Sequence, residues 1–585
     1  MKTTHSLTNP LHSSNMTLST PTDRPWLNQY PAGVPHDIDP DTETSLAALM
    51  EKSLQENADR PVSVCMEQWM SYRELDTYSR ALGAWLQGQG LKPGDRVAVM
   101  LPNIPQFLVS MVAVVRAGFT VVNVNPLYTA RELEHQLKDS GADAIIVLEN
   151  FCATLQDVID ETQVQHVVVA SLGDLLGPVK GRWLSFAVRH LAKMVPPFRL
   201  PLQGPLGARQ IVSFQDTLTQ GQGKPIQASS ATLDSIAFLQ YTGGTTGLSK
   251  GAVLTHRNII AAVQQAEAWF TPALSKVGDV RTINNIAALP LYHIFALTLS
   301  LVTLRWGAHL TLIPNPRDIP GFVKTLKKRP FHMLPAVNTL FNGLLHNPQF
   351  REIDFSSLVV SQAGGMAATE ATAKEWQKVT GSTMVEGWGM SETCAMGTNN
   401  PVNSSAFSGN IGLPLPGIRI AIKDDDGNSL PLGESGEICI HGPNVMVGYY
   451  NQPDETAKAF TPDRYMRTGD IGIMDTQGYT RIVDRKKDMI LVSGFNVFPT
   501  ELENVISSCP GVLECAAIGL PDDRQGEVIK VFVVRSDPTL TEEQVAQHCH
   551  DNLTGYKRPK YIEFRDALPK TNVGKILRRA LRPDA

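Results

Sequence analysis

Short, nearly unbroken apolar runs punctuate the chain up to about residue 360: Val97–Leu101, Ala144–Leu148, Val167–Ala170, Ile236–Gln240, Ile286–Leu289, Leu310–Ile313 and Leu358–Val360. A strand that is apolar at every position has both faces buried, which is the condition of strands in a parallel sheet covered by helices on each side. The stretches between the runs leave room for crossover helices, so the chain is expected to fold as α/β with doubly wound sheets. After about residue 410 the pattern changes. Glu437-Ile-Cys-Ile-His441 alternates, and turn pairs such as Asp426-Gly427 and Gln477-Gly478 crowd in, as an antiparallel β subdomain requires. The charged break Asp484-Arg-Lys-Lys-Asp488 then leads into a compact tail with strand-like Cys515–Gly519 and Val528–Val534, read as a small α+β domain. A chain of 585 residues exceeds what one core supports. The expected division is a leader at 1–25, a large domain at 26–484 and a small mobile domain at 485–585.

Several function classes are disfavoured at once. Lys and Arg number 52 against 57 Asp and Glu, a net charge of −5, which argues against a nucleic-acid partner held by bulk charge. Seven cysteines without a CxxC pair argue against a disulfide framework or a zinc site. His548-Cys549-His550 has metal-ligating residue types, but neighbours in sequence point different ways. Residues 1–25, rich in Ser, Thr and Asn, lack the apolar centre of a secretory signal and read as a disordered leader. The longest apolar run, Phe107–Val115, stops at Arg116, short of the ~20 residues a spanning helix needs. A cytoplasmic protein is expected. One stretch points to a membrane surface: on a helical wheel from Gly181 to Val195, Arg182, Arg189 and Lys193 share a face, with Trp183, Leu184, Ala187, Leu191 and Met194 across from it. An interfacial helix has this pattern, and so does a helix docked on its own domain.

The chemistry begins at Tyr241-Thr-Gly-Gly-Thr-Thr-Gly-Leu-Ser-Lys-Gly251, which follows the run Ile236–Gln240. Glycines let a backbone turn sharply and aim its N–H groups at an anion. Thr242, Thr245 and Thr246 add hydroxyls, and Lys250 adds a compact charge suited to phosphate. The spacing is not the Walker pattern, because two residues separate Gly247 from Lys250. The loop reads as a phosphate site, with a structural turn as the alternative.

The run resembles the phosphate-binding signature of the acyl-adenylate-forming, or AMP-binding, superfamily. Further stretches fall in that family's order: Pro290-Leu-Tyr-His-Ile-Phe295, Glu386-Gly-Trp-Gly-Met-Ser-Glu-Thr393, Tyr465-Met-Arg-Thr-Gly-Asp470, Ile482-Val-Asp-Arg-Lys-Lys-Asp-Met-Ile490 and Pro569-Lys-Thr-Asn-Val-Gly-Lys-Ile-Leu-Arg-Arg579. Phe238–Gly247, Ile482–Glu501 and Leu553-Thr-Gly-Tyr-Lys557 are most similar to its bacterial long-chain fatty acid–CoA ligase branch. The resemblance implies a two-step reaction. A carboxylate attacks the α-phosphate of ATP to give acyl-AMP and pyrophosphate, and the CoA thiol then displaces AMP.

The same resemblance implies roles for individual residues. Thr242, Gly243, Gly244, Thr245, Thr246, Gly247 and Lys250 would cradle phosphate. Gly364 and Gly365 would let backbone approach the base. Trp388, where Tyr is common, would face adenine beside Gly389. Ser391 stands where Thr is usual, and Glu392 would ligate Mg²⁺, a hard oxygen for a hard cation. Asp470 would hold the ribose with Arg485 as its cationic companion. Members of the branch often carry Gly-Trp where Arg464-Tyr465 stands here, which bears on chain length. Lys575 would bridge carboxylate and α-phosphate during adenylation and leave when the small domain turns about a hinge at Asp484–Lys487. Ser493, Gly494 and Phe495 would form the thioester-stage loop. His293 would border the acyl pocket, orienting the carboxylate or gating the thiol, with a packed core histidine equally open. The expected partners are a fatty acid, ATP and CoA, with a membrane surface and a homodimer as candidates and no nucleic acid. Alternatives are a ligase delivering acyl groups to a carrier protein, and an ATP-responsive regulator without catalysis.

Overall fold

The computed structural model describes residues 24–242, 249–493, 495–522, 524–571 and 576–582. Two large sheets form the body. In the first, Met384–Trp388, Val360–Ala363, Met333–Ala336, Asn284–Ala287, His309–Leu312 and Pro61–Cys65 lie side by side, all parallel. In the second, the parallel neighbours are Ile236–Thr242, Thr120–Asn123, Arg96–Met100, Ala144–Leu148, His166–Ala170 and Gln210–Ser213. The expected strands are present, several displaced by a residue or two, as their ends are the least fixed part of a periodic pattern. Helices cover the sheets, as the continuous apolar runs demand.

The longest apolar run lies in helix Pro105–Arg116, every residue of which is buried. Its terminal Arg116 is buried too, paired with Glu51 (2.7 Å) and Asp76 (2.8 Å) and donating to Ser79 Oγ (2.7 Å). A buried guanidinium so surrounded satisfies its donors without water. Among the described residues no helix is long and apolar enough to cross a membrane.

Arg419–Lys423, Ser435–His441, Met466–Met474 and Thr480–Arg485 form an antiparallel four-stranded sheet. A further sheet of Ile490–Val492, Phe495–Val497, Val512–Asp522, Gly526–Arg535 and Tyr561–Arg565 packs with helices Pro499–Ser507 and Glu542–Asn552 around its own core. Of the expected leader, residues 24 and 25 belong to the body: Arg24 pairs with Asp37 (3.0 Å), and Pro25 opens a 3₁₀ turn that buries Trp26. The remaining leader residues lie outside the described ones. Helix Pro178–Phe186 continues into a single π-turn, Ala187–Leu191. Its apolar side is only partly docked: Gly181 and Val188 are buried and Leu184 packs against the core, whereas Trp183, Leu191 and Met194 face outward.

Candidate active site

The C-terminal ends of the parallel strands in both sheets open onto one cleft, the position ligands take in open α/β folds. The two edges are tied together there. Asn103 Nδ2 donates to the Ala287 and Leu289 carbonyls (2.9 and 2.8 Å), and its Oδ1 accepts from Leu291 N–H (2.8 Å). Gln240 donates to the Tyr292 carbonyl (3.0 Å), holding the strand before the phosphate loop against the segment that carries His293. The cleft contains a cavity of about 1190 Å³. Thr242, Lys250, His293 and Ser391 line it, as do Gly364, Gly365, Trp388 and Gly389, with Glu392, Arg485 and Lys487 on the remaining wall. Its apolar part is made by Phe270, Leu299, Met396 and Leu415.

At one end three predicted residues converge. Asp470 and Arg485 are register partners on adjacent antiparallel strands, which brings their side chains together. Arg485 Nε meets Asp470 Oδ1 at 2.6 Å, and the Trp388 indole N–H donates to Oδ2 at 2.8 Å. Asp470 is 1 % exposed, so this carboxylate is fixed and desolvated before any ligand arrives. Backbone shape explains two of the glycines: Gly365 has φ +77°, and a Cβ at Gly389 would lie 2.1 Å from the Ala395 carbonyl oxygen. Below the base-side loop, buried Glu386 accepts from Ala368 N–H (2.7 Å), and burial pushes its carboxyl up to about 7.

At the other end stand Glu392 and Lys250. Glu392 is buried and lies on the 3₁₀ turn Ser391–Thr393, and burial raises its pKa. The next residues, Cys394 (φ 51°) and Ala395 (φ 67°), are left-handed without being glycine, which costs on the order of 1–2 kcal/mol each. Asn444 offsets this by donating to the Thr393 and Met396 carbonyls (2.7 and 2.6 Å), and Thr298 by donating to Cys394 O (3.0 Å). Tyr449 connects the charged groups. Its hydroxyl donates to Glu392 Oε1 (2.9 Å), and its ring lies 5.1 Å from Lys250 Nζ. Lys250 is also paired with Glu455, which in turn holds Lys458 (2.8 Å). Glu455 is thereby held down at about 2, chiefly by the Lys250 hydrogen bond.

Sequence reasoning missed Tyr449, Asn444, Glu386 and Glu455 as working residues. Glu386 lay inside a recognised motif; Gly448-Tyr-Tyr450 carries no chemistry until its strand, Gly448–Tyr449, pairs beside Lys250–Thr255. His293 caps helix Ile294–Arg305, its Nδ1 accepting from Phe295 N–H at 3.4 Å. Asp484 is buried away from the cavity, accepting from the backbone N–H of Arg485 (2.6 Å) and Thr500 (2.7 Å). It therefore ties the end of the four-stranded sheet to the start of helix Pro499–Ser507. Lys487 reaches the cavity, and burial pushes it down to about 8. Ser493 (φ 51°) and Phe495 lie apart from the cavity, exposed, with Phe495 stacked on Tyr556 (4.7 Å). Gly243, Gly244, Thr245, Thr246, Gly247, Gly494 and Lys575 lie outside the described residues. Among the described residues there is no cluster of His, Cys, Asp and Glu that would hold a metal by itself.

A cleft at the strand ends of two parallel sheets, with a fixed carboxylate behind one end and a lysine at the other, fits an adenylate-forming enzyme. The chain matches the AMP-binding enzyme family over residues 50–450 and the AMP-binding enzyme C-terminal domain over 501–575, and it belongs to that family. It is 49 % identical over 562 residues to a long-chain-fatty-acid–CoA ligase of Escherichia coli O6:H1, covering 96 % of this chain and 98 % of the relative. A long-chain-fatty-acid–CoA ligase of Bacillus subtilis is 34 % identical, covering 95 % and 97 %. Among solved structures, ATP-bound MatB from Rhodopseudomonas palustris superposes with a TM-score of 0.76 at 28 % identity, covering 92 % of this chain and 98 % of that one.

Proposed function

We propose that this chain, an ATP-dependent ligase forming carbon–sulfur bonds, activates long-chain fatty acids as acyl-AMP and transfers them to CoA. The observation that carries the reading is a cavity lined by a polar arm, from Trp388 and Arg485 in front of buried Asp470 to Lys250, and an apolar arm of Phe270, Leu299, Met396 and Leu415. ATP lies along the polar arm, with its ribose hydroxyls donating to Asp470 and its adenine against Trp388. The fatty chain occupies the apolar arm and presents its carboxylate near His293. Attack by that carboxylate brings two anions together, so cations must gather where charge develops. Lys250 and the phosphate loop meet the triphosphate, and Lys575 bridges the attacking oxygen and the α-phosphate. Pyrophosphate leaves, and the thiol of CoA then attacks the acyl carbon and releases AMP.

Mg²⁺ fits the donor set. Glu392 is a buried hard-oxygen donor without an ion-pair partner among the described residues, and it faces the cavity. A Mg²⁺ held there would supply charge neutralisation to the triphosphate; Tyr449 keeps the carboxylate turned toward the cleft. The division at residue 484, with the small domain turning about Asp484–Lys487 and bringing Ser493–Phe495 to the cleft for the thioester step, belongs to the same reading. So do a cytoplasmic location and contact with a membrane surface.

Separate assay of the two half-reactions tests this. Lys575→Ala abolishes acyl-AMP formation from acid and ATP while supplied acyl-AMP is still converted to acyl-CoA. Equal loss in both halves removes the role given to Lys575. CoA-dependent AMP release across short, medium and long acids distinguishes a fatty acid–CoA ligase from a ligase for a carrier protein.

A further inference from the structure

Away from the cleft, exposed apolar side chains gather in one stretch. Val179, Trp183, Phe186, Leu191 and Met194 are 53–83 % exposed. Contiguous apolar surface of this kind marks an interaction site. Its electrostatics are one-sided, since no Asp or Glu occurs between Asp174 and Asp216. Arg189 pairs with Glu149 (2.5 Å) and buried Arg209 with Asp160 (3.0 Å). Lys180, Arg182, Lys193 and Arg199 form no ion pair with any described residue. Lys180 donates to the Met66 carbonyl, which joins the segment to the tip of the hairpin Pro61–Cys65/Gln68–Ser71. Met66 and Trp69 are exposed there. The acid at that tip, Glu67, is neutralised by Lys328 (3.0 Å) and Arg329 (2.6 Å). Two segments more than a hundred residues apart thus make one apolar, cationic face on a chain whose net charge is −5.

Sheet topology sets this face relative to the cleft. From Ile236–Thr242 to His166–Ala170 the second sheet is parallel throughout, so the C-terminal ends share one edge. The phosphate loop leaves the first of these strands and the cationic segment follows the last. Four interstrand spacings of about 4.8 Å separate the C-terminal ends of these two strands by roughly 19 Å along that edge. Arg189 holds the segment to it through Glu149 and Ser171 Oγ (3.1 Å), each just past a strand end. In the first sheet Pro61–Cys65 is parallel with Met384–Trp388, so the hairpin tip shares the edge that presents Trp388.

We propose that residues 66–69 and 178–194 form a docking surface for an anionic lipid bilayer, holding the cleft's edge toward the phase in which fatty acids dissolve. The substrate rests on the fatty acid ligase reading above; the binding rests on this surface alone. Trp183, Phe186 and Leu191 enter the interfacial layer while the flanking cations meet lipid phosphates, each cation strengthening attachment about fivefold. A second copy of the chain fits less well, because a two-fold contact would set the same unpaired cations against one another.

The test uses the full chain and vesicles without ATP or CoA. Wild type co-sediments with equimolar phosphatidylglycerol–phosphatidylcholine vesicles and less with phosphatidylcholine alone. Arg182→Glu with Lys193→Glu lowers partitioning by about 25-fold or more, and Trp183→Ser with Leu191→Ser lowers it independently. Trp183→Phe keeps the binding but loses part of the fluorescence quenching by brominated lipid. All variants release AMP with a short, soluble acid at the wild-type rate, which also reports that they fold. Equal vesicle binding by wild type and both double variants overturns the proposal, as does no binding by wild type. So does a wild-type dimer that the variants dissolve without change in vesicle binding, or loss of binding only to an acidic protein. Vesicle binding without AMP release from any acid leaves the surface standing and removes the ligase reading.

Discussion

The two ends of the cleft are built on different physical plans. At one end a desolvated carboxylate, Asp470, is held at one oxygen by Arg485 and at the other by Trp388. Little reorganises when a nucleotide binds, so the bonds it offers are strong. At the other end the charges are already engaged: part-exposed Lys250 with Glu455, and buried Glu392 with Tyr449. On the proposed function, a triphosphate displaces Glu455 before Lys250 is free. On the same proposed function, affinity is set at the sugar, whereas the reacting end keeps exchangeable partners and can release pyrophosphate.

Replacing the rigid end should cost most. Asp470→Ala removes two acceptors for ribose and leaves Arg485 unpaired; at about 1.5–3 kcal/mol per charged hydrogen bond, kcat/KM for ATP falls about 1000-fold. An effect below tenfold would make the two ends equivalent. Tyr449→Phe deletes one hydroxyl and keeps the ring beside Lys250, so kcat/KM falls about tenfold. Because the hydroxyl turns Glu392, titration calorimetry should also show weaker Mg²⁺–ATP binding.

Glu386 gives a pH signature beneath the base-side loop. Its folded pKa of about 7 lies above the ordinary value near 4.5. The native state therefore holds a proton that the unfolded chain gives up, and stability falls as pH rises from about 4.5 to about 7, then levels off. Glu386→Gln should flatten that limb of a melting-temperature profile, and an unchanged slope would remove the assignment. The smallest effect belongs to the exchangeable end. A half-exposed pair contributes only about 0.2–1 kcal/mol, so Glu455→Gln lowers KM for ATP up to about fivefold with kcat unchanged. A rise in KM would show that Glu455 assists the phosphates instead.

Much of this was legible in the residues. The unbroken apolar runs declared parallel strands because burial on both faces leaves no polar alternation. Thr242, Lys250, Trp388, Glu392, Asp470 and Arg485 were marked by motifs, since local spacing and residue type carry the chemistry. Their connections were not legible. That Asp470 faces Arg485 is a matter of strand register, and that Trp388 donates to the same carboxylate depends on a sheet edge meeting a separate β-sheet. Tyr449 has no motif; pairing with the strand Lys250–Thr255 gives it a task.

The amphipathic stretch Gly181–Val195 shows the same boundary from the other side. Its sequence determined a cationic and an apolar face, because helical periodicity is local. Whether that apolar face is buried depends on which surfaces lie within reach, and only the folded chain decides that. Here the segment is anchored by Lys180 at Met66 and by Arg189 at Glu149, and Trp183 is left outside. Sequence thus determined the strands, the nucleotide chemistry and the amphipathic pattern. Tertiary structure decided which groups meet and which faces remain open, because register, edge and contact join residues that the chain itself keeps far apart.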